Sequence, residues 1–126
     1  MTKQPSHSEI ELLRTAYSAF NARNISAALS TMTPDVAWPR AFKGGFVEGH
    51  HGVSAYWTEQ WSEISTHVEP EAFHLDNDGC LSVKVHQVVH DLAGSVLVDE
   101  HVCHRFTLEQ GLIKKMEVVS SSEFQG

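Results

Sequence analysis

Apolar residues recur along this chain with two different periods. Ile10, Leu13, Tyr17 and Phe20 are spaced three and four apart, the interval at which side chains share one face of a helix. Ser8 and Glu11 stand at capping-box spacing ahead of that run, so the pattern predicts a helix from Ser8 to about Asn24. Ile25, Ala28, Leu29 and Met32 continue the interval over a short second segment, which Pro34 stops. Val36-Ala37-Trp38 reads as a brief extended piece, and Pro39 to Gly52, with four glycines, as an irregular loop. Val53, Tyr56, Trp57, Trp61 and Ile64 form the apolar stripe of a third helix.

Beyond Ile64 the period falls to two. His67 to His74 reads as a strand and Asp76-Asn77-Asp78-Gly79 as a turn. A long hairpin runs from Leu81 to Leu108, and Gln110-Gly111 turns the chain into a last strand from Leu112 to about Ser120. Helices first and antiparallel strands afterwards predict an α+β fold with three N-terminal helices packed on one face of the sheet.

The register of the hairpin follows from its turn. A two-residue loop at Ala93-Gly94 is the shortest connection the glycine permits, and it pairs Gln87 with Glu100, Val85 with Val102, Val83 with His104 and His86 with His101. Alternation then puts Gln87, Glu100 and His104 on one face with Val83, Val85, Val102 and Phe106, and the histidine pair on the other. A carboxylate and an imidazole on an apolar face suggest a pocket.

At 126 residues and 41% hydrophobic content the chain is one domain, residues 1–126 with a core of about 8–121. A net charge of -7 with nine Lys plus Arg argues against nucleic acid or an anionic membrane as partner. No apolar run approaches the roughly 20 residues of a membrane span, and the N-terminus lacks a secretory h-region, so the expected location is the cytoplasm. In the proposed register Cys80 and Cys103 lie roughly 13 Å apart, which makes a disulfide unexpected and suits a reducing compartment.

Five stretches carry a resemblance to a known family. Ala16-Tyr17-Ser18-Ala19-Phe20-Asn21-Ala22-Arg23-Asn24, Met32-Thr33-Pro34-Asp35-Val36, Glu48-Gly49-His50, Arg105-Phe106 and Gly111-Leu112-Ile113 resemble, in this order, the nuclear transport factor 2-like superfamily. The likeness is greatest to the SnoaL-like proteins, the group that contains polyketide cyclases. The resemblance implies a cone-shaped, curved antiparallel sheet wrapping a long helix, a pocket at the wide end, and a homodimer formed through the sheet. The superfamily includes ketosteroid isomerase, but the positions similar to its catalytic groups are occupied by Val102, Ala16 and Pro39 or Arg40. Steroid-type isomerisation is therefore not supported, and fold-level analogy alone would have suggested it.

The residues offer other chemistry. Glu100 and His104 are candidates for an acid–base pair, with burial raising the carboxylate's pKa; the structural alternative is a Glu100–Gln87 hydrogen bond and a satisfied core histidine. Arg40 is a candidate for holding an enolate oxygen, between Trp38 and Phe42 as aromatic walls. Tyr56, Trp57 and Trp61 of the third helix, together with Tyr17, Gln87, Val102 and Met116, complete the expected ligand-binding set. The expected ligand is a small hydrophobic carbonyl compound, isomerised, cyclised or dehydrated without a cofactor, or else bound without turnover. His86 and His101, with His90 and Asp99 nearby, offer nitrogen ligands that zinc or nickel accept, but they match no established metal motif; the pair is read as a dimer surface and no metal site is assigned.

Overall fold

Ser6, not Ser8, starts the first helix. Its Oγ accepts from the Glu9 amide at 3.2 Å while the Glu9 carboxylate accepts from the Ser6 amide at 2.8 Å. Ser6/Glu9 and Ser8/Glu11 both have capping-box spacing, and the earlier pair makes the bonds. The computed structural model describes residues 5–40, 43–120 and 124. Its elements are α1 (His7–Asn21), α2 (Ile25–Leu29), β1 (Met32–Pro39), β2 (Phe46–Glu48), α3 (Gly49–Glu63), β3 (Ile64–Leu75), β4 (Leu81–Asp91), β5 (Val96–Glu109) and β6 (Leu112–Val119).

The six strands form one sheet in the order β2-β1-β6-β5-β4-β3, and the helices supply the α+β class that the pattern predicts. All pairings are antiparallel except β1 with β6, which is parallel and irregular between Met32 and Ala37. That irregularity accommodates Pro34, which stands exposed inside a strand without disrupting a regular ladder. The stretch expected to be an irregular loop holds β2 and the first turn of α3. Gly49 opens α3 at φ 76°, where a Cβ would come within 3.3 Å of the Pro34 carbonyl. His50 and His51 thus lie on a helix, and His50 Nε2 sits 3.1 Å from the Met32 carbonyl.

The core lies between the helices and the inner face of the sheet. Leu13, Ala16 and Tyr17 of α1 and Val53, Tyr56 and Trp57 of α3 meet Val83 and Val85 of β4, Phe106 of β5 and Ile113 and Met116 of β6. Burying a side chain such as Phe106 contributes roughly 1.5–3 kcal/mol. This apolar packing is non-directional, and polar contacts from α1 to the sheet add direction to it. β3 is an edge strand, so alternate backbone groups face away from β4. Asn21, the last residue of α1, fills that gap at Val68, donating from Nδ2 to the carbonyl at 2.8 Å and accepting from the amide at Oδ1 at 3.0 Å.

The hairpin has the expected register, reached by another turn. Val83 pairs with His104, Val85 with Val102, His86 with His101 and Gln87 with Glu100. The loop, however, is closed by Asp91 and Ser95, with Gly94 in the left-handed region at φ 96°. This longer loop would slip the register by one residue. An extra residue at Leu97, where the pairing moves from His90–Val96 to Val89–Val98, restores it. Cys103 faces Lys84 as expected, and neither cysteine forms a disulfide among the described residues.

Ser6→Ala should lower stability by about 1 kcal/mol, whereas Ser8→Ala should stay within a few tenths. Urea unfolding of the two variants separates the competing caps.

Candidate functional site

Between α1, α3 and the inner face of the sheet is a cavity of about 60 Å³. Its walls are mainly aromatic. Trp57 meets Phe20 and Trp38 edge-on at 5.2 and 5.4 Å between ring centroids, and Trp38 lies 6.4 Å from Phe106. Val68 and Met116 add aliphatic surface. The helical spacing of Tyr17 and Phe20 on α1 and of Tyr56, Trp57 and Gln60 on α3 turns these side chains toward the same space.

A few polar groups interrupt this lining. Tyr17 Oη and His104 Nδ1 share a buried hydrogen bond of 2.8 Å, with the two rings stacked at an 8° angle. Tyr17 reaches this position because it lies one turn before Asn21, whose bonds to Val68 hold the helix in place. His104 sits on β5 between Val83 of β4 and Val118 of β6. Burial lowers the His104 pKa to about 4 and raises that of the Tyr17 phenol well above its ordinary value, an effect to which Cys103 adds. Both groups are therefore neutral at physiological pH.

Thr66 of β3 also lines the cavity. It is 4% exposed, and its Oγ1 has no hydrogen-bond partner among the described residues. Gln87, one strand over, is buried and donates to Glu100 Oε1 at 3.4 Å, a long bond. At the rim, Gln60 Nε2 donates to Tyr56 Oη at 3.0 Å. These two side chains also line a second recess of about 250 Å³, bordered by Lys43, Glu59, Glu63, Leu97 and Val98. The Tyr56–Gln60 pair is thus the partition between the two spaces.

The expected site residues divide into those that line the cavity and those that do not. Tyr17, Trp38, Tyr56, Trp57, Gln87, His104 and Met116 line it. Glu100 does not. It shares a face with Gln87, but β6 pairs with β5 only from Cys103 onward, so the carboxylate is exposed at an uncovered end. The expected Glu100–His104 pair is replaced by Tyr17–His104. Arg40 turns into its own loop, with Nε donating to the Gly44 carbonyl at 2.9 Å, and it is Pro39 that reaches the cavity. Trp61 packs behind the wall against Phe20 and Trp57, with the Arg23 guanidinium over its ring at 4.9 Å. Val102 packs against the core outside the cavity. Phe42 lies outside the described residues. Thr66, Gln60 and Phe20 were not anticipated as site residues. Thr66 alternates with Val68, and a strand begun at Ile64 instead of His67 would have included it.

A mixed sheet closed by N-terminal helices around such a cavity is the nuclear transport factor 2-like fold. A solved protein of that fold from Burkholderia pseudomallei K96243, of unknown function, is similar with a TM-score of 0.78 and 21% identity, over 94% of this chain and 95% of its own. The chain belongs to the SnoaL-like domain family, whose model matches residues 13–116. TerC, co-crystallised with polyporic acid, is similar at 25% identity and a TM-score of 0.78, over 90% of this chain and 91% of TerC. A Mycobacterium tuberculosis protein in complex with estradiol-17beta-hemisuccinate aligns with a TM-score of 0.76 at 14% identity, over 90% and 93% of the two chains. No curated protein sequence matches at a significant level.

His104 ties stability to pH. Its folded pKa of about 4 lies below the ordinary 6.5, so below pH 6.5 the unfolded chain takes up a proton that the folded chain refuses. The contribution is complete above pH 6.5, declines as pH falls toward 4, and amounts to about 3 kcal/mol. Unfolding free energies across this interval should show the loss in the parent protein and a shallower slope in His104→Gln.

Proposed function

We propose that this protein binds a small, largely apolar carbonyl compound in the aromatic cavity, and that Tyr17 and His104 carry proton transfer on it. The observation that carries this reading is the 2.8 Å hydrogen bond between Tyr17 Oη and His104 Nδ1 in the cavity wall. The aromatic surfaces would select a planar or ring-sized ligand, and Thr66 Oγ1 would gain its missing partner when the cavity is filled. Relatives of the same fold crystallised with polyporic acid and with a steroid hemisuccinate support a ligand of this class.

In one tautomer His104 donates from Nδ1 to the Tyr17 oxygen. Its Nε2 then has a free lone pair, and the Tyr17 hydroxyl proton is available to a ligand oxygen. Such a pair can take a proton from carbon next to a carbonyl, stabilise the enolate by hydrogen bonding, and return the proton elsewhere. This is the chemistry of isomerisation, cyclisation or dehydration, and it needs only a proton donor and acceptor. In the same reading Arg40 and Glu100 have no catalytic role. A cytoplasmic location completes it.

A second reading, binding without turnover, is favoured by one specific observation. Burial lowers the His104 pKa to about 4, which makes the imidazole a weak base, and no carboxylate lines the cavity among the described residues. In that case the same groups orient a ligand and move no proton.

Polyporic acid is a suitable probe, followed by quenching of tryptophan fluorescence from Trp38 and Trp57. Tyr17→Phe should weaken binding about tenfold, the equivalent of one hydrogen bond, and Glu100→Gln should leave affinity within a factor of two. Deuterium uptake from solvent into a bound ketone, lost in Tyr17→Phe, separates catalysis from binding. If Glu100→Gln removes binding while Tyr17→Phe spares it, the site is wrongly placed.

A further inference from the structure

The outer face of the sheet carries a cluster that the cavity does not use. Glu71 of β3, His86 of β4 and His101 of β5 bring one ligand atom each to within 4.8 Å of one another. The imidazoles of the directly paired His86 and His101 stack with ring centroids 4.7 Å apart. His101 Nε2 is 3.3 Å from Glu71 Oε1, and His86 Nε2 is 2.6 Å from Asp99 Oδ1. We propose that Glu71, His86 and His101, with Asp99 beside them, form a binding site for a divalent transition-metal ion, with zinc as the type ion.

Three independent features lead to this assignment. The first is backbone geometry. The β3–β4 register shifts between Pro70 and Ala72, so Glu71 is the extra residue at a bulge and its carboxylate reaches across β4 to His101. Bulges re-aim single side chains in this way. Glu69, which directly pairs with His86, bonds His67 instead and leaves the position to Glu71. The second is chemistry. Two imidazole nitrogens with one or two carboxylate oxygens form a donor set that zinc and nickel accept. Ligands at about 2.0–2.2 Å from a tetrahedral zinc stand roughly 3.3–3.6 Å from each other. The Glu71–His101 contact already has this separation, and small side-chain rotations would bring His86 into range. Asp99 would either add an oxygen or fix the His86 ring through its hydrogen bond. The third is the field: the net charge of -7 attracts a cation.

The site lies across the sheet from the cavity, so its ion would not touch a ligand bound there. It would instead join three neighbouring strands. The test is calorimetric titration of the untagged, chelator-treated protein with zinc chloride, alongside thermal unfolding. The expected result is one zinc per chain, a higher melting temperature, and at least about tenfold weaker binding in His86→Ala and in His101→Ala. Glu71→Gln should weaken binding less, and His51→Ala not at all. All four side chains are partly or fully exposed, so the variants should fold as the parent does. Absence of saturable uptake at submillimolar zinc would overturn the assignment. So would unchanged affinity in His101→Ala, or one zinc per two chains with dimerisation.

Discussion

Two hydrogen bonds between the Asn21 carboxamide and the Val68 backbone determine where α1 lies on the sheet, and the site depends on that placement. A helix held by apolar contacts alone can shift along a sheet at small cost, because hydrophobic burial has no direction. The carboxamide removes this freedom by engaging both backbone groups of a single edge-strand residue. Tyr17 is four residues earlier on the same helix face and is thereby brought against His104, two strands in from the edge. Val68 is also part of the cavity wall, so the anchor of the helix and the boundary of the site are one residue.

Exclusion of water then sets the chemistry of the buried pair. Burial disfavours the charged forms of both phenol and imidazole, and each shifts toward neutrality. Thr66 Oγ1 without a partner costs about 1–3 kcal/mol, a penalty that a bound oxygen or nitrogen would offset. The cavity of about 60 Å³ is smaller than a ring-sized ligand requires, while the adjoining recess of about 250 Å³ opens beside it. The hydrogen bond between the dividing side chains, Gln60 and Tyr56, contributes about 1 kcal/mol.

How much of this was legible in the sequence depended on whether the signal was local. Periodicity located every helix and all strands but β2, and the alternation of the hairpin correctly placed Gln87, Glu100 and His104 on the inner face. Alternation reports a face, however, and not a depth. Glu100 has the right face but lies where β6 no longer covers β5, and the end of β6 cannot be read from residues near Glu100. Arg40 failed for a different reason: its backbone and side chain close the turn between β1 and β2, a role that composition does not reveal. The hairpin register was right although its turn was not, because the longer loop and the extra residue at Leu97 offset each other. The Tyr17–His104 bond joins residues 87 positions apart and belongs to tertiary structure alone.

His101 and His104 show what such separation of faces does to one residue type. They are three apart on β5, so they point to opposite sides of the sheet. On the inner side, His104 is dry, stacked on a phenol and held neutral by desolvation. On the outer side, His101 is about half exposed and faces a carboxylate brought over by a bulge two strands away. The first environment suits an imidazole that shares a proton within an uncharged pair, and the second suits one that meets charge. The imidazole is the same in both cases, and the depth and partners that the fold assigns to it decide which chemistry it can perform.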